Sequence, residues 1–272
     1  MTKKFSLDDK VIIVTGATGV LGHAFVKALA AQGAVVGIMG RNEQVAQERV
    51  AEIENEGGRA IALVADVLNE DQLKTCCKTV LDQYGKITGL INAAGGNQAG
   101  AVIQPDQEIF DLDMQALKQV MDLNLFGTIL PTQVFGKAMI ESAGAGSIVN
   151  ISSVAAQTAV TRVLGYSLAK TAIESYTKWF AVEMANRYGD KLRMNSLVPG
   201  FFLADQNRKL LTNEDGSYTH RGNLIIQGTP YKRFGNADEL TGALIWLLSD
   251  ESTFVNGASI VVDGGFTVFG GV

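Results

Sequence analysis

Tyr166 and Lys170 stand four residues apart, and Tyr166 follows the second of two adjacent serines, Ser152 and Ser153, by thirteen positions. Residues at i and i+4 share one helix face, so a lysine ammonium there lies beside the phenol and favours its ionised form. A phenol tuned in this way both donates and accepts a proton near neutral pH. Far upstream, Thr15-Gly-Ala-Thr-Gly-Val-Leu-Gly22 puts Gly16, Gly19 and Gly22 directly after an apolar run and at the start of a helical pattern. Backbone N–H groups and the helix dipole at such a turn receive a pyrophosphate, and glycine lets the chain approach it closely. Gly19 is expected to supply a positive-φ turn there.

These groups need elements to position them. Short β-branched runs at 11–15, 35–39, 60–64, 89–92, 147–151, 193–198 and 259–262 alternate with longer helical patterns. That alternation predicts an α/β fold: a Rossmann-like, doubly wound, seven-stranded parallel sheet with helices on both faces. Ligands of such sheets bind beyond the carboxyl ends of the strands, where the residues above fall. Two long helices are predicted, one over about 114–142 and one over about 164–187, with Trp179 and Phe180 read as packing residues.

The 272 residues, 47% of them hydrophobic, carry four prolines and no linker-like tract, so a single domain over 1–272 is expected. A net charge of -5 argues against nucleic acid and leaves a small molecule as the expected partner. No apolar run approaches the eighteen or so residues that span a bilayer, and no signal core opens the sequence, so a soluble cytoplasmic protein without a membrane partner is expected. Cys76 and Cys77 are adjacent in a helical pattern and form no disulfide framework. With only His23 and His220 besides, no metal site is expected.

Taken together, the glycine turn, Asn150-Ile-Ser-Ser153 and Tyr166-Ser-Leu-Ala-Lys170 resemble the short-chain dehydrogenase/reductase family over residues 7–265. The resemblance implies a nicotinamide-dependent oxidoreductase. By it Tyr166 exchanges the proton, Ser153 orients the substrate oxygen, Lys170 lowers the phenol pKa together with the oxidised nicotinamide, and Asn124 supports a water chain from Lys170. An asparagine in mid-helix would otherwise be read as solvent-facing. The cofactor side comprises Gly16, Thr18, Gly19, Val20, Leu21 and Gly22, with Val20 where the family has its middle glycine. Arg41 and Asn42 follow the second strand in place of the usual acidic residue, which favours NADP(H), because Arg41 can pair with a 2′-phosphate; NAD(H), with Arg41 stacked on adenine, is the alternative. Asp66 and Val67 are implied at the adenine, with Asp66 as a mere helix cap the bland alternative. Asn92, Ala93, Ala94 and Gly95 are implied as a wall beside the cofactor. Pro199, Gly200 and Phe202 are implied near the nicotinamide, with alanine at position 204 where many relatives have threonine.

Residues 201–233 correspond to the family's substrate lid. Its polar residues, Gln206, Asn207, Arg208, His220 and Arg221, suggest a hydroxylated, anionic substrate. The wording from Pro199 to Leu211, with Ala94-Gly-Gly-Asn97 and Leu130-Pro-Thr-Gln-Val-Phe135, resembles the D-mannonate oxidoreductases within that family, which interconvert D-fructuronate and D-mannonate. Asn97 and Gln98 would serve the hydroxyls, and Arg208, then Arg162, the carboxylate. A gluconate 5-dehydrogenase-like enzyme is the alternative, and a non-catalytic cofactor sensor a third reading, which the complete set Asn124, Ser153, Tyr166 and Lys170 disfavours. The apolar C-terminal end is too hydrophobic for a free tail and, by resemblance, implies a homotetramer.

Overall fold

Five apolar or β-branched residues, Val11–Thr15, form β1 with every side chain buried, because helices cover the sheet on both faces. A computed structural model describes residues 4–203, 208 and 210–271. The remaining strands are β2 (Val35–Gly40), β3 (Arg59–Val64), β4 (Gly89–Asn92), β5 (Gly146–Ile151), β6 (Leu192–Pro199) and β7 (Ser259–Val262). They make one seven-stranded sheet in the order β3-β2-β1-β4-β5-β6-β7, every neighbouring pair parallel.

Strand periodicity decides which layer each residue enters. Ile12 and Val14 point into one core with Phe25, Leu29, Leu244 and Leu247, whereas Val11 and Ile13 point into the other with Leu73, Val80, Phe135 and Met139. The first layer is built by α1 (Val20–Ala31), α2 (Glu43–Asn55) and α8 (Thr241–Leu248). The second is built by α3 (Glu70–Tyr84), α5 (Gly127–Ser142) and α6 (Leu164–Tyr188). Cys76 and Cys77 are buried there, and burial pushes the Cys76 thiol up to about 11.

Register places the functional end. Thr15 lies opposite both Met39 and Asn92, and Asn92 opposite Asn150, so the carboxyl ends of β1, β2, β4 and β5 share one edge. The strand order reverses between β1 and β4, which opens a crevice at that edge.

The helix predicted over 114–142 is interrupted. α4 (Met114–Met121) passes into a π-helical turn, Asp122–Phe126, before α5 begins. A π turn inserts one extra residue and breaks the regular ladder. Trp179, expected to pack, is 62% exposed on α6, whereas Phe180 packs against Tyr176 in the core. Past β6 a small separate core of Leu211, Ile225 and Phe234 gathers under α7 (His220–Gly228). Among the described residues no helix is long and apolar enough to cross a membrane.

Candidate active site

β5 ends at Ile151, and the two serines follow it at the crevice. Ser153 accepts a hydrogen bond from the Ala155 N–H at 3.2 Å, capping the short turn Val154–Ala156. Ser152 is turned elsewhere and donates to Glu174 at 3.1 Å. The first turn of α6 brings Tyr166 to Ser153, whose hydroxyl hydrogen-bonds the phenol. One turn on, the buried Lys170 donates from Nζ to the Ile151 carbonyl at 2.8 Å, and its Nζ lies 5.4 Å from the Tyr166 ring centroid.

Among the described residues Lys170 has no carboxylate partner, so burial alone lowers its ammonium to about 8. Tyr166 departs from expectation. In the protein alone burial raises its phenol, and only the Ser153 hydrogen bond pulls the other way. Desolvation of the phenolate outweighs that single hydrogen bond.

Asn124 is fully buried, not solvent-facing, because the π turn carries it inward. Its Nδ2 donates to the Gly96 carbonyl at 2.7 Å and to the Val120 carbonyl at 2.8 Å, and its Oδ1 accepts from the Gly96 N–H at 3.1 Å. A Cβ on Gly95 would stand 2.6 Å from that Oδ1 and 3.4 Å from Lys170 Nζ, so only glycine fits. A buried polar network leads away from Asn124: Thr128 donates to its carbonyl, Thr132 to the Thr128 carbonyl, Asn92 to Thr132 and Asn150, and Asn150 to Thr177. The sequence reading missed Thr128 and Thr132, although their one-turn spacing on a helix was a usable signal. Asn92 therefore anchors the core and does not wall the cofactor cleft: it is buried, and its Nδ2 donates to Thr132 and Asn150.

The cleft at the switch point has a volume of about 320 Å³. Thr18, Gly19, Val20, Leu21 and Gly22 form one side, Ala93, Ala94 and Gly95 another. The positive φ belongs to Gly16, at +66°, where a Cβ would stand 2.7 Å from the Ala93 carbonyl oxygen. Gly19 has φ -82°, an ordinary extended value, so the expected positive-φ turn is not there; its small size keeps the cleft open instead. Thr15 braces the opposite wall by accepting from the N–H groups of both Ala93 and Ala94 at 3.1 Å.

This cleft fits an anionic dinucleotide. α1 has no side-chain cap at Gly19, whereas Asn42, Asn69, Asp113 and Thr219 cap α2, α3, α4 and α7. The first N–H groups of α1 thus remain for phosphate oxygens. Arg41 is exposed at the cleft mouth, but Asn42 is occupied, accepting from the Val45 N–H at 3.1 Å, and does not line the cleft. Asp66 lines it with the buried Val67; its Oδ1 accepts from the Leu68 N–H at 2.9 Å, and the cap of α3 is Asn69.

A second cavity of about 380 Å³ adjoins the first along Leu21 and contains Ser153 and Tyr166. Asn97 and Gln98 line one side, Pro199, Gly200 and Phe202 the floor by β6, and Leu210, Leu211 and Ile225 the lid side. Of the polar residues expected on the lid, Arg221 faces the cavity, together with the lid's apolar residues. Arg208 and His220 are exposed and outside the cavity, while Gln206, Asn207 and position 204 lie outside the described residues. Arg162 also misses it, since its left-handed backbone (φ +76°) turns the guanidinium to the Ile103 carbonyl at 2.6 Å and Gln104 at 2.9 Å. Among the described residues the only charged side chain lining the cavity is Arg221. No three His, Cys, Asp or Glu side chains among the described residues gather to hold a metal.

A family model described as enoyl-(acyl carrier protein) reductase matches residues 16–267. An uncharacterized oxidoreductase of Bacillus subtilis, UxuB, is 40% identical over 98% of both proteins. Among solved structures, a candidate D-mannonate oxidoreductase of Haemophilus influenza with bound NAD superposes with a TM-score of 0.90 at 39% identity, covering 98% of each protein. A gluconate 5-dehydrogenase of Burkholderia cenocepacia in complex with NADP and tartrate gives 0.85 at 32% identity, again over 98% of each.

Proposed function

From the premise that the chain belongs to the short-chain dehydrogenase/reductase family of NAD(P)-dependent oxidoreductases, we propose that it interconverts a ketone and a secondary alcohol on a sugar acid, D-fructuronate and D-mannonate before others. The observation that carries this reading is the meeting of Ser153 and Tyr166 at one cavity edge, with the buried Lys170 behind the Tyr166 ring, beside a cleft built for an anionic dinucleotide.

The nicotinamide, when bound, supplies or removes the hydride. Everything else falls to the protein. Tyr166 gives a proton to the substrate oxygen in reduction and takes it back in oxidation. Ser153 orients that oxygen by hydrogen bonding. Lys170, with its pKa near 8, stays mostly protonated at neutral pH yet gives up its proton more easily than an ordinary lysine, and so replaces the proton on the tyrosine side. Asn124 holds the Gly95–Gly96 backbone against Lys170, which fixes the ammonium under the ring.

Arg41 at the cleft mouth supports NADP(H) as the preferred cofactor, since a guanidinium pairs with a 2′-phosphate in two-pronged fashion. NAD(H) is the alternative, in keeping with the relative that carries NAD. On the substrate side, the relative holding tartrate, a hydroxylated acid, favours gluconate 5-dehydrogenase-like chemistry as the second reading.

Two exposed apolar faces support a homotetramer: Trp179 and Val182, 62% and 60% exposed on α6, and the C-terminal end with Val268 at 86%.

Loss of reduced-nicotinamide absorbance tests the reading. D-fructuronate and 5-keto-D-gluconate are offered separately with NADPH or NADH. Turnover of fructuronate with NADPH is the expected result; turnover of the gluconate-derived ketone alone moves the enzyme to the second reading, and inactivity on both discards the sugar-acid substrate.

A further inference from the structure

Arg221 is a half-buried cation at a mainly apolar cavity, and among the described residues no anion pairs with it. It belongs to the first turn of α7, and its guanidinium reaches across to the loop before α6, donating to the Thr161 carbonyl at 3.1 Å and the Thr161 hydroxyl at 3.4 Å. Both acceptors are neutral. A guanidinium has five N–H donors, and among the described residues these two bonds are the ones Arg221 makes, leaving the others for whatever enters the cavity. The cavity it lines also takes Leu210, Leu211, Ile225, Val160 and Val163. Arg162 adds a like charge from the same loop, and burial together with that charge holds the Arg221 pKa below its ordinary value.

A partly desolvated cation without a counter-ion carries a cost, and that cost is relieved when a carboxylate arrives. The relief is greatest for a group that accepts two parallel N–H bonds. Resting on the sugar-acid reading above, we infer that Arg221 is the carboxylate anchor of the substrate cavity and that it sets a preference for hydroxy acids over neutral polyols of the same length.

The placement also sets a register. Thr161 is five residues before Tyr166, so the anchor is tied to the segment that leads into the proton-exchanging helix. One end of the substrate is held by Arg221, the reacting carbon lies by Tyr166 and Ser153, and Asn97 and Gln98 remain for hydroxyls between them. Arg208 and Arg162, the two arginines that sequence resemblance favoured, have no such access.

The test separates binding from turnover. D-Mannonate, D-gluconate and the neutral D-mannitol are titrated calorimetrically into the enzyme with reduced nicotinamide cofactor, a combination that allows no oxidation. The same three alcohols are then assayed for oxidation with the oxidised cofactor. In the wild type the hexonates bind and mannitol is far weaker. Arg221→Gln weakens hexonate binding roughly 10- to 100-fold, the range of a charge-assisted pair, and leaves mannitol and cofactor binding unchanged, while Arg221→Lys recovers part of the loss. Hexonate binding that Arg221→Gln leaves unchanged, an equal loss for mannitol, or no hexonate binding in the wild type overturns the anchor. Hexonate binding that depends on Arg221 without any oxidation keeps the anchor and discards the proposed substrates instead.

Discussion

Asn124 and Gly96 bond to each other in both directions, the side-chain amide donating at 2.7 Å and accepting at 3.1 Å as a second peptide would. An α-helical residue at this position would not reach; the π turn at Asp122–Phe126 makes the pairing possible. The pair closes over Gly95, which in turn has Lys170 Nζ at its open side.

Asn124→Asp keeps the shape but replaces two donors by a carboxylate oxygen facing the carbonyls of Gly96 and Val120. The expected cost is about 2–3 kcal/mol in chemical denaturation, with a fall in kcat. Gly95→Ala should cost about 1–3 kcal/mol, because the new methyl meets Asn124 Oδ1 at 2.6 Å. Unchanged unfolding midpoints for both variants would remove the packing argument.

Tyr166→Phe removes the hydroxyl and leaves the ring against Ala101, Ala116 and Val120. Turnover is expected to drop about 10²- to 10⁴-fold while cofactor affinity, read by fluorescence titration, stays within about twofold. A protein that senses the cofactor without turnover would be untouched.

The folded protein holds Lys170 near 8 against an ordinary 10.5. Below pH 8 both folded and unfolded states carry the proton, and the burial penalty is full. Between 8 and 10.5 the unfolded state binds more protons than the folded one, so stability rises with pH through this window. The change amounts to about 3 kcal/mol. Measured against Lys170→Met, the wild type should gain that much between about pH 7.5 and 10.5; a difference independent of pH would contradict a desolvated ammonium.

Arg41→Gln should lower kcat/KM with NADPH by about 10- to 100-fold and alter the value with NADH much less. Equal losses with both cofactors would assign Arg41 to the adenine, as the NAD(H) alternative has it.

Replacing Trp179 and Val182 together by glutamate puts two charges on the exposed face of α6. Light scattering should then report smaller assemblies than for the wild type. An unchanged mass at micromolar concentration, or a monomeric wild type, rules that face out as a subunit contact.

The strands lie within one residue of their expected limits because local β-branched runs bounded by glycine and polar residues carry their own length signal. The π turn was not legible: one inserted residue leaves the apolar spacing on either side helical, and its effect on Asn124 exists only once Gly96 is brought opposite. Likewise Gly19 resembled a turn glycine by type, while the positive φ fell on Gly16, which packs against Ala93 just past β4, far away in the sequence.

By itself the sequence determined the seven-stranded doubly wound sheet and the glycine turn at its switch point, which depend on residue types at short spacing, and through its family resemblance the Ser153, Tyr166, Lys170 set. The tertiary structure alone decided which arginine faces the cavity and how the phenol titrates. Arg162 and Arg208 were as eligible as Arg221 by charge, but direction depends on backbone dihedrals and on acceptors such as the Ile103 and Thr161 carbonyls, contributed by other parts of the molecule. Burial, a sum over the whole surroundings, sets the pKa of Tyr166 and Lys170 more than the one neighbour a helical spacing can name.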